Sequence, residues 1–266
     1  MEKEILDGFL NNKTTDMKIK FFDAHSHFNI GFDNEPVETA ISKRNAEILK
    51  KDYDCCNIKA GAFCSYSWVM TDEYVYERNE YMYELIQKND WMYQWVVLDP
   101  RQQKLFKQVE RMLKHEKVLG IKIHAPCHKY DVREYGDDIF SFANENKCFV
   151  LSHPDNIDDM SDIVAFADKY PNMKIIQAHL GTTAYVDAIM SAKHGNIYTD
   201  TSGGASCGNN IIEYAVEKVG SEKIFFGTDG GYSCAFQTGR ILLSRLDKKD
   251  KENILYKNAI REFKIW

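Results

Sequence analysis

Short apolar runs alternate with longer stretches of helical spacing along most of the chain. The runs are KIKFFDAH (18–25), IKAGAFCSY (58–66), YQWVVLDP (93–100) and VLGIKIH (118–124). They continue with CFVLSH (148–153), MKIIQAH (173–179), GNIYTDTS (195–202) and EKIFFGTD (222–229). Each is mostly apolar and rich in Ile, Val or Phe, the pattern of strands covered on both faces. Between them, Leu105, Val109 and Leu113 fall at i, i+4, i+8 in the stretch 101–117, just after Pro100, a helix-opening residue. Met160, Ile163, Val164 and Ala167 form a similar stripe over 158–170, and 209–220 repeats the pattern and stops at Gly220. Tyrosine-dense EYVYERNEYMYEL (73–85) also has helical spacing, which assigns most of its rings to packing.

Eight such strands separated by helices predict a parallel α/β sheet. A closed (β/α)8 TIM barrel, one domain over 1–266, accounts for the count and the length, with an open doubly wound sheet as the alternative. No G-x-G-x-x-G or P-loop is present, so no nucleotide cofactor is expected. Residues 1–17 read as an N-terminal extension. The interval 29–57 is longer than a plain loop and reads equally as a lid insertion or as surface ornament.

Composition narrows the function. The 266 residues are 44% hydrophobic, enough for one large core. A net charge of −6 without like-charge blocks argues against nucleic acid as partner. The charged start MEKEILDGFLNNK is not a signal peptide, and no run approaches the roughly 20 apolar residues of a membrane span. Seven scattered cysteines, none in a C-x-x-C pair, suggest neither a disulfide framework nor a thiolate zinc site and fit a reduced, cytoplasmic compartment. Oligomeric state is open, with exposed aromatics as the one hint of a homodimer.

The histidines carry the chemistry. His25 and His27 stand at i, i+2, so a strand aims both rings at one spot, yet two histidines from one segment cannot complete a metal site. The decisive feature is position. His25, His124, His153, His179 and Asp229 each end a predicted strand, and His27 lies just beyond one. In a barrel those ends meet on a single face, where catalytic groups collect. Neutral imidazole and carboxylate are suitable ligands for Zn2+ and similar divalent ions. Asp23 shares the parity of His25 and His27 and is read as an orienting or core-polar residue, lower in the barrel. His115 and His194 are expected at the surface, and His128 follows Pro126 in a loop within reach of substrate.

FDAHSH, GIKIH, VLSH, IIQAHLG, IYTDTSG and IFFGTD, in that order, resemble the amidohydrolase superfamily, and specifically its amidohydrolase-2 branch, which includes aminocarboxymuconate-semialdehyde decarboxylase-like enzymes. NILYKNAIREF (253–263) is similar to the branch's C-terminal helix, so the likeness runs from about residue 19 onward. The resemblance implies His25, His27, His153 and Asp229 as metal ligands. It implies His179 as the histidine that polarises substrate or, in two-metal members, binds a second ion. In two-metal relatives a carboxylated lysine on the fourth strand bridges the ions, and Lys122 stands at the matching position. Here one Zn2+-like ion is favoured over two, with Lys122 and His124 contacting substrate or supporting the ligands.

The expected reaction is hydrolysis of an amide, ester or lactone in a small molecule. Zinc lowers the pKa of its water to about 7. Asp229 then moves the proton while His179 polarises the carbonyl. The alternative is decarboxylation or hydration of an aromatic or unsaturated carboxylic acid, for which Arg101, Arg133 or Arg240 is the candidate cation. A TatD-type deoxyribonuclease would want a glutamate ending strand four, where GIKIH stands, and a catalytically inactive binding barrel is disfavoured by the intact ligand set.

Overall fold

In the computed structural model the described residues are 20–28, 46–65, 73–230 and 233–266. The expected N-terminal extension and residues 29–45 of the expected lid lie outside them. The strands are β1 Phe21–Phe28, β2 Ile58–Ser65, β3 Met92–Val97, β4 Val118–Ile123, β5 Phe149–Ser152, β6 Lys174–Gln177, β7 Ile197–Asp200 and β8 Ile224–Phe225. They pair in parallel in sequence order, as eight apolar runs joined by helices require. Backbone bonds close the ring: Ala24 N–H donates to Phe226 O at 2.8 Å, and Asp229 N–H to His25 O at 2.8 Å. The molecule is a single-domain (β/α)8 TIM barrel.

Helices follow the stripes read from the sequence: Gln103–Met112 buries Leu105, Val109 and Met112, and Ser161–Lys169 buries Ile163 and Ala167. Ile211–Val219 ends at Gly220, and Val75–Lys88 buries Met82 and Ile86, packs Tyr76 and Tyr83 half-buried against the core and exposes Tyr81. Residues 46–55 of the expected lid are the ordinary barrel helix between β1 and β2, and Tyr53 from it is fully buried. After Glu252 a π-helical turn, Asn253–Lys257, leads into helix Asn258–Phe263.

That last helix plugs the end of the barrel where the strands begin. Phe263 stacks on Phe225 with ring centroids 5.0 Å apart and meets Phe149 edge-on at 5.0 Å and Trp95 at 5.8 Å. Tyr198 and Phe22 complete this aromatic layer. Aromatic pairs in such offset and edge geometries contribute about 0.5–1.5 kcal/mol each beyond the area they bury. The barrel is therefore solid at its base, which leaves its polar groups to gather at the other end.

One expectation is displaced. β1 runs on to Phe28, so His25 and His27 lie inside the strand rather than at and beyond its end. Their polarity looked like a strand terminus, but they are interior residues of the barrel mouth, fully covered by neighbouring strands.

Candidate metal centre

His25, His27 and Asp229 converge. Asp229 Oδ1 lies 3.2 Å from His27 Nε2 and 3.7 Å from His25 Nε2, and the three groups offer donor atoms within 4.8 Å of one another. The centre is reached from one side, since His25 and His27 are buried while the Asp229 side chain is 20% exposed. Two imidazoles and a carboxylate are a fitting donor set for a divalent ion.

His25 is held from behind. Its Nδ1 meets Asp200 Oδ2 at 2.9 Å and Ser202 Oγ at 2.9 Å, which turns Nε2 toward Asp229. Asp200 also accepts from the backbone N–H of Ser202 at 2.8 Å and of His179 at 3.2 Å, and from the Ser202 hydroxyl. A carboxylate behind a ligating histidine fixes its tautomer and raises its basicity. Burial tends to neutralise Asp200, yet the surrounding His25, His179 and Ser202 outweigh it and keep its carboxyl well below the usual range. His25, His179 and Asp200 also lie close enough to hold an ion as a trio. But Asp200 already has four partners, and the His25 nitrogen facing it is not the one facing Asp229.

Charge at the centre is set by burial and near neighbours. Burial, with Lys122 nearby, pushes His25 down to about 3, and the same two causes lower His124 to about 2 and push His153 down as well. For His27 burial opposes the charge, but Cys64 and Asp229 override it and raise its pKa to about 9. Asp229 is likewise opposed by burial and held well below the carboxylate range chiefly by His27. His27 and Asp229, 3.2 Å apart, thus favour each other's charged forms.

Around this pair the mouth is strained and tightly supported. His179 and Asp229 have positive φ, 68° and 61°, a conformation that costs a residue with a side chain of order 1–3 kcal/mol. Glycines let the loops come close: a Cβ on Gly203 would stand 2.6 Å from His179 Nδ1, and one on Gly230 would stand 2.6 Å from the His27 backbone. Ser202 Oγ meets His179 Nδ1 at 2.9 Å. Beneath, Asp23 accepts from Tyr53 Oη at 2.6 Å and from Thr228 Oγ1 at 2.5 Å, tying β1 to the 46–55 helix and to the segment after β8. Burial raises the Asp23 carboxyl to about 7 in spite of these bonds.

The other expected residues divide. Lys122 is fully buried with its Nζ 3.3 Å from His25 Nε2, and burial lowers its pKa. His153 stacks on His124 at 3.9 Å and meets His179 edge-on at 5.0 Å, outside the close His25–His27–Asp229 group. His124 caps the short helix Ala125–His128, and buried His128 stands in that helix. The three arginines are occupied elsewhere. Arg101 pairs with Asp99 and binds His128 O, and Arg240 holds the 201–206 loop through Thr201 O and Ser206. Arg133 pairs with Asp131 and lines a cavity of about 310 Å³ beside His153, one that does not include His25 or Asp229.

The family pattern of the Amidohydrolase family matches residues 22–265. The chain belongs to that family. No curated protein sequence matches it significantly. Solved structures do. A 2,6-dihydroxybenzoate decarboxylase complexed with 2,6-dihydroxybenzoate has a TM-score of 0.73 at 14% identity, covering 92% of this chain and 99% of its own. A dihydroxybenzoic acid decarboxylase from a Polaromonas species, with bound manganese and 2-nitroresorcinol, has 0.73 at 16%, covering 92% and 97%. A 5-carboxyvanillate decarboxylase from Sphingomonas paucimobilis has 0.76 at 12%, covering 94% and 100%.

These likenesses correct the hydrolysis expected from the sequence. The similar structures are decarboxylases of aromatic acids, which back the alternative reading rather than amide, ester or lactone cleavage. The physical reason for the error is that one histidine–carboxylate metal set serves both reactions. Zinc is also not specified: the family and the His–His–Asp site support a divalent metal, and the Polaromonas structure carries manganese. Among the described residues no helix is long and apolar enough to cross a membrane.

Proposed function

We propose that this Amidohydrolase-family protein is a metal-dependent decarboxylase of a small aromatic or unsaturated carboxylic acid. The observation that carries the reading is the meeting of His25, His27 and Asp229 beside a buried lysine, on a scaffold shared with aromatic-acid decarboxylases. In this reading His25, His27 and Asp229 hold one divalent ion, zinc or manganese, and His153 supplies a further imidazole. When bound there, the ion would supply positive charge that orients the acid and offsets developing negative charge.

The protein's own groups do the rest. Lys122 is the cation placed against the histidine cluster, so it contacts the substrate's carboxylate or a neighbouring oxygen, in place of the engaged arginines. In the reaction the bond from the substrate carbon to the carboxylate breaks, CO2 leaves, and the carbon takes a proton. Asp229 delivers it. Its Oδ1 faces His25 and His27, its Oδ2 is turned toward the Gly203 loop, and the side chain is 20% exposed. Held as a carboxylate, Asp229 relays a proton from water or a substrate hydroxyl rather than storing one. His179, fixed by Ser202, hydrogen-bonds the acid, and His124 contacts its rim.

The test is CO2 release from a panel of hydroxylated benzoic and unsaturated acids, with metal-stripped and Mn2+- or Zn2+-loaded protein. Release by the loaded wild type and not by a His25→Ala, His27→Ala double variant is expected. Metal-dependent ester or lactone cleavage with no CO2 from any acid would overturn the reading.

A further inference from the structure

The two histidines of β1 are not held alike. His25 has a carboxylate at Nδ1, whereas the buried group at His27 Nδ1 is the sulfur of Cys64, 3.2 Å away. Cys64 is 1% exposed and His27 4%, so water does not compete for this contact. The pairing is built into the sheet, because His27 and Cys64 are register partners in the parallel ladder of β1 and β2. Side chains at such partners leave the same face side by side.

We propose that Cys64 is a positioning residue for the metal: its sulfur accepts the Nδ1 proton of His27 and so presents Nε2 toward Asp229. This rests on the metal reading above. An imidazole that ligates through Nε2 keeps its proton on Nδ1, and that proton needs an acceptor to fix the tautomer and the ring plane. For His25, Asp200 does this with a strong charged acceptor. For His27 a sulfur does it, and thiol sulfur is a weak acceptor. The two ligands are therefore unequal: His25 is the rigid anchor and His27 the looser arm. Two other cysteines lie differently: Cys127 is 3.6 Å from His124 Nε2, and Cys148 is buried at the start of β5.

The experiment measures Mn2+ affinity by calorimetry on metal-stripped protein, with the visible spectrum of the Co2+-loaded form as a second readout. Cys64→Ala is expected to bind Mn2+ about tenfold more weakly, at the low end of losses caused by removing a ligand's supporting partner, with an altered Co2+ spectrum. Far-UV circular dichroism and the melting temperature of the metal-free form report whether the fold is kept. Cys64→Ser, whose hydroxyl also accepts from Nδ1, should return to within about threefold of wild type, a recovery expected of a hydrogen-bond acceptor. Cys64→Val fills the space without an acceptor and should stay weak, so the Ser and Val pair decides even if Cys64→Ala fails to fold. Cys148→Ala should bind as wild type does.

Wild-type affinity in Cys64→Val, or Ser as weak as Val, overturns the positioning role while leaving the metal centre intact, provided His27→Ala has lost binding. Undiminished Mn2+ affinity in His27→Ala overturns the metal reading itself, and the role of Cys64 with it.

Discussion

The two ends of this barrel are built on opposite principles. At the base, Phe22, Trp95, Phe149, Tyr198, Phe225 and Phe263 pack ring against ring. At the mouth, His25, His27, Lys122, Asp200 and Asp229 are crowded together, and His179 and Asp229 sit in left-handed backbone conformations. The base contributes stability through dispersion and burial. The mouth spends stability on desolvated charge and strain, which persist only because the surrounding structure over-determines them. Function and folding are thereby separated along one axis, and substitutions at the two ends should fail in different ways.

The largest effect is expected at the mouth. Asp229→Asn would remove both the proposed ligand and the proposed proton relay, so turnover should fall about a thousandfold, within the range for loss of a general acid–base group. Steady-state kinetics on the loaded protein checks this, and a melting temperature at or above that of wild type would show that the residue serves function and not folding. At the base, Phe225→Ala should cost about 3–5 kcal/mol in urea unfolding, as for other buried large-to-small changes. The folded fraction should still bind Mn2+ as wild type does. Loss of metal binding there would break the separation.

Between the extremes stand the supports. Asp200→Ala should weaken metal affinity about 10- to 100-fold, measured by calorimetry, because His25 loses the partner that orients it. The smallest effect is expected for Tyr53→Phe, which removes one hydrogen bond to Asp23. It should cost about 1 kcal/mol in urea unfolding and leave Mn2+ affinity unchanged.

The same division explains what could be read from the chain alone. The strands were legible because walls covered on both faces demand continuous apolar runs, and IFFGTD or VLSH has no other comfortable place. Where β1 ends was not, because the polar Ser26 and His27 read as residues past the strand until a barrel interior encloses them. His25, His27 and Asp229 announced themselves by residue type and position. Asp200 carried the same signal, a carboxylate ending a strand in IYTDTS, and was passed over although parity places it inside with the histidines. Cys64 carried none, since a thiol in an apolar run reads as core until its neighbour across the ladder is known. His153, also expected among the ligands, stacks on His124 and meets His179 edge-on. The reaction was the least legible feature. Ligand chemistry alone does not distinguish a water attacking a carbonyl from a carbon losing CO2.

The most direct measurement follows carboxyl-13C-labelled hydroxybenzoic acids in D2O with Mn2+-loaded protein, reading 13CO2 and deuterium in the product by NMR. The account predicts labelled CO2 and one deuterium on the carbon that bore the carboxylate, both requiring metal and both lost in Asp229→Asn. Intact acids across the panel, with metal-dependent hydrolysis of an ester or amide instead, would contradict it.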